Sequence, residues 1–361
     1  HMKKSKEVLT MTRTHLENNS IYFSLRPLKK YGRAFNIVLG ARGVGKTFSS
    51  IYEEWEDLCK DHEEVTEKFL YMRRKQTVID MIAKGDSDVN LSPFKSINQK
   101  KGTHLESYKV NKQVYGITDD PESMRNVGYM MGLTTVANVR GFDGIDIVDW
   151  IYDEFVPETI EKRIPNEGEA ILNAYETINR NRELDGKDPL RAFFLSNTDD
   201  ISHDFFVVLD LIPTLEKMQK KGIAFLDFPE RSLTITMVKN IAFQEEKAKT
   251  ALYKLTKGTK FSDMALNNQF AHNDFSLIAS RNLREYNPVA IYGDVCIYRH
   301  KSRLEYYCSS HLIDCKRYGT TVQENARFYR DIGRELYGAF INSQIFFESY
   351  REKKIVLDII N

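Results

Sequence analysis

The sequence lacks the long apolar runs of a membrane or exported protein. None of its 361 residues belongs to a run of about 18 uninterrupted apolar residues, the length that a membrane-spanning helix needs. The opening residues His1-Met2-Lys3-Lys4-Ser5 also lack the apolar segment of a secretion signal. We therefore expect no membrane partner and no export signal.

Cysteine is scarce, and its spacing indicates no cross-link. The chain has 4 cysteines and no CxxC pair, so neither a zinc site nor a disulfide framework is indicated. We expect reduced, buried thiols in a cytosolic protein at the four positions, which are Cys59, Cys296, Cys308 and Cys315.

Net charge is small as well, at +1, so affinity for a polyanion would depend on local patches. From residue 231 onward there are about 20 basic and about 14 acidic side chains, which leaves the front part acidic. This asymmetry points a polyanion towards the C-terminal part. Hydrophobic residues at 42% and charged residues at 29% are ordinary for a globular protein.

A phosphate-binding motif dominates what is present. The stretch 40–47 matches GxxxxGK[ST], after an apolar run rich in β-branched residues and before a helical segment at 48–55. Lys46 would reach the β- and γ-phosphates, and the Thr47 hydroxyl would bind Mg²⁺. A glycine-rich turn with an accidental Lys-Thr pair is the alternative, which the flanking strand and helix disfavour. Backbone N–H groups would cradle the phosphates at Gly40, Ala41, Arg42, Gly43, Val44 and Gly45.

A second acidic motif ends another apolar strand. In Trp150-Ile-Tyr-Asp-Glu154, Asp153 would hold the Mg²⁺ shell, and Glu154 could orient and deprotonate the attacking water. Adjacent residues at a strand end point to opposite faces, so one acid can face the metal and the other the water. The alternative is a surface Asp-Glu turn, which is common.

Further polar side chains have a functional and an ordinary interpretation. Arg180 and Arg182 lie near the end of the helical segment 166–183, where cations suit the helix dipole. One of them could instead reach a neighbouring subunit's γ-phosphate as an arginine finger. Asn197 ends a hydrophobic strand and could sense the γ-phosphate, or it could serve the following turn. Arg42 could approach the phosphates or pair with an acid.

Strands that alternate with helices and end in polar groups predict a parallel α/β sheet. Gly40, Asp153 and Asn197 would all lie at carboxyl strand ends, where ligands bind in such sheets. The length favours two domains. We place a P-loop domain at 1–200, a linker region at 201–235 and a second domain at 236–361.

Several basic side chains could contact DNA phosphates. Two arginines and a lysine end the second strand, and two lysines lie in a polar segment at 85–112. A solvated surface is the default alternative for such residues. The candidates are Arg73, Arg74, Lys75, Lys100 and Lys101.

Taken together, these motifs resemble the DNA-packaging ATPases of phi29-type small podophages, a family related to large terminases. The likeness runs in order over about residues 30–275 and weakens after that. Each motif alone is unspecific, but the set is specific. The matching pieces lie at 37–47, 71–74, 152–155, 164–167, 179–183, 195–197, 258–259 and 264–270.

The resemblance implies an ATP- and Mg²⁺-dependent motor that drives double-stranded DNA into an empty procapsid. The motor would be a ring of five identical subunits on the portal, or connector, in the host cytoplasm. In the likeness, Glu154 matches the acid that activates water and Arg180 matches the finger that acts on the neighbouring subunit. A structural RNA links ATPase and portal in the phi29 system, and whether this chain uses one is left open.

The resemblance also implies a fold for each half. The first is an ASCE, RecA-like P-loop domain, and the second a smaller α+β, RNase H-like domain that has lost nuclease activity. Nuclease chemistry needs carboxylates gathered around two metals, and those of the second half are scattered. They are Asp294, Asp314, Asp331 and Asp358. A domain that binds DNA or a partner is therefore favoured.

Two other functions stay open at this point. A terminase-like enzyme would also cut DNA in the presence of Mg²⁺ or Mn²⁺. A nucleotide-gated scaffold for portal assembly would bind nucleotide without turnover, and it would have no need of the acid at Glu154.

Overall fold

The computed structural model describes residues 22–84, 92–136, 144–157, 161, 164–197, 201–238, 241–259 and 276–360. The chain divides into two compact units. The first holds His1–Asp200 and Lys221–Ala271, and the second holds Ile201–Lys220 and His272–Asn361. The motif piece at 264–270 lies outside the described residues. None of the described helices is long and apolar enough to cross a membrane.

The first unit contains a nine-stranded sheet in the order β3-β4-β5-β2-β6-β7-β1-β9-β8. Strands β5, β2, β6, β7, β1 and β9 pair in parallel, and antiparallel strands extend both edges. The prediction of an α/β fold with a mostly parallel sheet is confirmed. The strands are β1 Phe35–Gly40, β2 Lys68–Arg73, β3 Glu106–Lys109, β4 Tyr115–Asp120, β5 Arg125–Gly132, β6 Ile147–Asp153, β7 Arg191–Ser196, β8 Phe225–Phe228 and β9 Leu233–Val238.

The helices in chain order are α1 Arg26–Lys29, α2 Lys46–Leu58, α3 Gln76–Lys84, α4 Pro93–Lys101, α5 Leu133–Val136, α6 Glu167–Asn179, α7 Asp204–Val208, α8 Ile212–Lys221, α9 Ile241–Ala248, α10 Ala251–Leu255, α11 Val322–Phe328, α12 Arg334–Ile341 and α13 Tyr350–Ile360. A short π-helical turn at Tyr329–Gly333 joins α11 to α12.

The central strands form the core because a parallel sheet is covered on both faces, so its strands read as continuous apolar runs. Nearly every residue of β6 and β7 is buried. Trp150 of β6 stacks on Tyr152 with ring centroids 5.6 Å apart, and its edge meets Phe194 of β7. This packing fixes the carboxyl end of β6, which carries Asp153.

The domain bounds derived from the sequence differ from the compact units of the structure. The sequence predicts a linker region over 201–235, but Phe225–Phe228 and Leu233–Val238 form β8 and β9 of the first sheet. Strand β9 pairs in parallel with the whole of β1, from Leu233 opposite Phe35 to Val238 opposite Gly40. Strand β9, which lies beside the strand that precedes the phosphate-binding loop, thus follows a segment, 201–220, that belongs to the second unit.

The second unit contains a five-stranded sheet in the order β13-β10-β11-β12-β14. Its strands are β10 Tyr286–Tyr292, β11 Val295–His300, β12 Tyr306–Ser309, β13 Arg317–Tyr318 and β14 Ile345–Phe347. Strands β10, β11 and β12 are successive antiparallel neighbours. Between β10 and β11 the chain turns at Gly293, whose φ of 56° suits a residue without a side chain. The RNase H-like topology of this unit stays a prediction.

Candidate nucleotide-binding site

The phosphate-binding loop joins β1, which ends at Gly40, to α2, which begins at Lys46. Gly43 and Gly45 have φ of 84° and 85°, a left-handed conformation that L side chains rarely adopt. A Cβ at Gly40 would lie 2.8 Å from the Cβ of Val238 on β9. Backbone conformation therefore favours glycine at Gly43 and Gly45, and the space beside Val238 favours it at Gly40. The loop has the strand–loop–helix arrangement that the sequence predicts.

Lys46 and Asn197 meet at this loop. The buried Lys46 Nζ donates to the carbonyl oxygens of Gly40 at 2.9 Å and Ala41 at 3.0 Å. It also donates to Asn197 Oδ1 at 3.2 Å. Asn197 directly follows β7, the sheet neighbour of β1, so it lies beside the loop as expected for a polar group at a carboxyl strand end.

Thr47 and Asp153 are also brought together. The Thr47 hydroxyl donates to Asp153 Oδ2 at 2.8 Å, and the Tyr71 hydroxyl donates to the same oxygen at 3.0 Å. Oxygen atoms of hydroxyl and carboxylate groups are the ligands that Mg²⁺ prefers in nucleotide sites, so this pair fits the predicted metal. Tyr71 was part of the recognised motif, but its role beside Asp153 was missed, because it depends on β2 lying next to β6.

Glu154 lies at the mouth of the site with an unusual backbone. Its φ is 50°, and its side chain is 51% exposed. Its carboxylate forms an ion pair with the Arg73 guanidinium. Arg73 also lies 3.6 Å from Asp153 Oδ2 and donates to the Tyr71 hydroxyl at 3.3 Å. Positive φ at a non-glycine residue is a strained conformation that is often found at functional sites.

The structure does not favour the DNA contact predicted for Arg73 and Arg74. Arg73 pairs with the acids of the candidate site because β2 is the sheet neighbour of β6. Arg74 is buried and holds Glu167 with two bonds of 2.7 and 2.8 Å, and Glu161 with one of 2.6 Å. A buried guanidinium with three carboxylate contacts cannot reach the phosphates of a duplex.

The three predicted lysines occupy different surroundings. The Lys101 ammonium lies 4.4 Å from the ring centroid of Tyr52, and that of Lys100 lies 5.5 Å from the ring of Phe48. Both lysines line the same cleft as the phosphate-binding loop. Lys75 is half-buried, and it is not one of the described residues that line this cleft. The five predicted DNA contacts therefore do not share one surface.

The cleft has a volume of about 1620 Å³, which is ample for a nucleoside triphosphate. Its lining includes the loop, residues of α2 such as Phe48 and Tyr52, and Ser96, Lys100 and Lys101 of α4. The segment before β1 contributes Tyr22, whose ring packs 3.2 Å from the position of a Cβ on Gly45. Aromatic rings beside a phosphate-binding loop suit a nucleotide base.

The two candidate arginines at the end of α6 are clearly separated by the structure. Arg182 is buried and donates to the carbonyl oxygens of Asp188, Ile145 and Ile147 at 3.0 to 3.2 Å, which is a structural role. Arg180 is exposed, and its backbone has φ 49° and ψ −131°. Such a conformation is costly for a residue with a side chain. Arg180 is not among the described residues that line the cleft of its own chain.

Comparison with known proteins assigns the chain to a family. The model for the podovirus DNA encapsidation protein (Gp16) matches residues 17–297. The chain belongs to this family. The resemblance predicted from the motifs is thus confirmed at family level.

Relatives and solved structures of the encapsidation family agree with this assignment. The DNA packaging protein of Bacillus phage phi29 is 24% identical over 267 residues, which are 73% of this chain and 70% of that protein. That of Bacillus phage B103 is 26% identical over 253 residues, with 70% and 69% covered. The structure of the phi29 viral genome packaging motor assembly is 20% identical, has a TM-score of 0.65 and covers 95% of this chain and 100% of its own. The structure of the Phi-28 gp11 DNA packaging motor is 18% identical, has a TM-score of 0.60 and covers 94% of this chain and 96% of its own. At this level of identity, the two structures show a shared fold.

Several described carboxylates of the second unit pair with basic side chains. Among the described residues, no group of three or more His, Cys, Asp or Glu side chains could hold a metal ion. Asp294 pairs with Arg351. Lys316 pairs with Asp331 at 2.7 Å, and Lys354 with Asp358 at 2.5 Å.

Proposed function

We propose that this encapsidation-family protein is an ATP-driven subunit of a motor that moves double-stranded DNA through the portal into a procapsid. The observation that carries the proposal is the convergence of Lys46, Thr47, Asp153 and Asn197 on one cleft, as two hydrogen-bonded pairs, Lys46 with Asn197 and Thr47 with Asp153. This set combines phosphate donors with oxygen ligands for a metal, which a nucleoside triphosphate requires. The relatives named as DNA packaging proteins support the role in packaging.

Each residue of the loop would have a separate task. Loop N–H groups would hold the phosphates of ATP, and Lys46 would exchange its carbonyl partners for β- and γ-phosphate oxygens. Thr47 and Asp153 would hold Mg²⁺, which would neutralise developing charge on those oxygens. Asn197 would sense the γ-phosphate, and its contact with the Lys46 ammonium at 3.2 Å supports this role.

Glu154 would orient the attacking water and accept its proton as the bond to the γ-phosphorus forms and the bond to ADP breaks. In this structure its carboxylate is paired with Arg73. A carboxylate held by a guanidinium is a weaker base, because the cation favours its charged form. Hydrolysis would therefore require Glu154 to turn away from Arg73. Its exposed side chain leaves room for that movement.

Arg180 would complete the site of a neighbouring subunit in a homo-oligomeric ring, which we propose to have five members. Its support is the exposed position and strained backbone at the end of α6. A guanidinium that reaches the γ-phosphate stabilises transition-state charge and affects turnover more than binding. Arg180→Ala should therefore retain nucleotide binding and lose turnover. Normal turnover in purified Arg180→Ala rings would remove this assignment.

The remaining partners follow from the family resemblance alone. The ring would attach transiently to the procapsid portal in the host cytoplasm, with or without a structural RNA. Lys100, Lys101 and Lys75 remain the candidates for DNA phosphate contacts. The second unit would be an RNase H-like domain without nuclease activity, and its cation-paired carboxylates support this.

The test is phosphate release by the purified protein with and without double-stranded DNA, beside Lys46→Ala. We expect MgATP turnover that DNA stimulates and that Lys46→Ala abolishes, because the γ-phosphate loses its cation. Binding without turnover would favour a scaffold instead. Plasmid cleavage with Mg²⁺ or Mn²⁺ that is lost in Asp294→Ala would favour a terminase-like nuclease.

A further inference from the structure

A lysine far along the chain contacts the backbone of the phosphate-binding loop. Lys247, at the end of α9, donates from Nζ to the carbonyl oxygen of Arg42 at 2.6 Å. Its ammonium also lies 5.2 Å from the ring centroid of Tyr253 on α10. The loop motif does not predict this partner, because 205 positions separate the two residues.

The geometry of one peptide unit gives this contact its meaning. In a trans peptide, the carbonyl of Arg42 and the N–H of Gly43 point in opposite directions. Gly43 is among the described residues that line the cleft, whereas Lys247 is not. The ammonium occupies the carbonyl side of this peptide, so the N–H of Gly43 points away from Lys247. In the proposed binding mode, this N–H would be one of those that hold phosphate.

A cation on the carbonyl and an anion on the N–H strengthen each other. The ammonium polarises the peptide and makes its N–H a better donor, as hydrogen bonds do in chains. A bound phosphate on the N–H makes the carbonyl a better acceptor in turn. Both bonds involve a full charge, which makes them stronger than neutral hydrogen bonds.

We propose that Lys247 is a positioning residue of the nucleotide site, and that nucleotide binding and the Lys247–Arg42 contact stabilise each other. This inference rests on the proposed binding of nucleotide at the loop. Thermodynamic linkage makes the effect reciprocal, so nucleotide must hold the α9–α10 segment in place as firmly as Lys247 favours nucleotide. The contact therefore couples occupancy of the loop to residues 241–259.

Three variants test the proposal. Lys247→Met removes the charge and keeps most of the stem, Lys247→Arg restores the charge, and Lys249→Met is the matched control. Lys249 lies in the turn after α9, is exposed and pairs with Glu246 at 2.6 Å, without contact to the loop. We expect Lys247→Met to raise KM for MgATP and the Kd of MgADP about five-fold, with kcat changed less than about two-fold. Lys247→Arg should recover most of the affinity, and Lys249→Met should match the unaltered protein.

Hydrogen–deuterium exchange gives a second readout that a structural role would not move. MgADP should slow amide exchange over residues 241–259 in the unaltered protein and in Lys249→Met, and it should not do so in Lys247→Met. Equal affinities and equal protection in Lys247→Met would overturn the inference while leaving the nucleotide site intact. Failure of the unaltered protein to bind MgADP would instead overturn the proposed function.

Discussion

Arg74 allows a sharp prediction, because it is a candidate DNA contact in the sequence and a member of a buried ion pair in the structure. Its side chain is 4% exposed and that of Glu167 is 2% exposed. Two charge-assisted bonds of 2.7 and 2.8 Å join them. Glu167 is the first residue of α6, the helix that ends at Asn179 just before Arg180, so the pair ties the end of β2 to this helix.

The size of the effect follows from burial. In Arg74→Met, the Glu167 carboxylate stays buried without its cation, which costs about 3–5 kcal/mol of unfolding free energy. The double variant Arg74→Met with Glu167→Gln removes the stranded charge, so it should be more stable than Arg74→Met alone. Lys100→Met, on the surface of the cleft, is the control and should change stability by less than about 0.5 kcal/mol.

Tryptophan fluorescence during urea unfolding measures this in the right part of the molecule. Trp55 and Trp150 are the 2 tryptophans of the chain, and both lie in the first unit. The transition they report should move to lower urea in Arg74→Met and partly return in the double variant. DNA affinity of any folded fraction should keep its salt dependence. An unchanged urea midpoint with a weaker salt slope would refute the buried pair and restore the DNA contact.

Four further variants test the sheet, the loop and helix α2. Gly40→Ala should weaken MgATP binding by at least about ten-fold in a nucleotide titration, because its Cβ would meet Val238 on β9 at 2.8 Å. Asp149→Asn should cost about 3–5 kcal/mol by urea unfolding, because it leaves Arg191 without its carboxylate, whose oxygens lie 2.6 and 2.7 Å from the guanidinium. By contrast, Glu54→Gln should cost less than about 1.5 kcal/mol, since burial and the Asp149 charge raise the pKa of Glu54 and favour its neutral form; equal losses would contradict this. Arg73→Gln should change kcat for ATP while leaving the salt slope of DNA binding intact, and the reverse pattern would return Arg73 to the DNA surface.

Residues of the candidate site were predictable where local pattern decides their position. The carboxyl ends of parallel strands lie at one edge of the sheet, so Gly40, Asp153 and Asn197 could be grouped from the sequence. The structure brings Lys46 and Asn197 within 3.2 Å of each other. Whether they act on ATP stays a prediction, as does the role of Arg180.

Strand order and long-range partners could not be derived in the same way. Arg73 meets Glu154 because β2 pairs with β6, and register between strands distant in sequence is not encoded in either strand alone. Strand β9 joins the sheet after the chain has contributed 201–220 to the second unit, which blurred the domain bounds. Lys247 stands in an unremarkable polar helix, and only the fold places it against the loop.

The most direct test of the account compares MgATP binding and turnover in Glu154→Gln. This change removes the proposed base and leaves the Lys46, Thr47 and Asp153 contacts in place. The account predicts a Kd within about two-fold of the unaltered protein, with DNA-stimulated phosphate release lowered by at least about 100-fold. Phosphate release within about two-fold of the unaltered rate would contradict it.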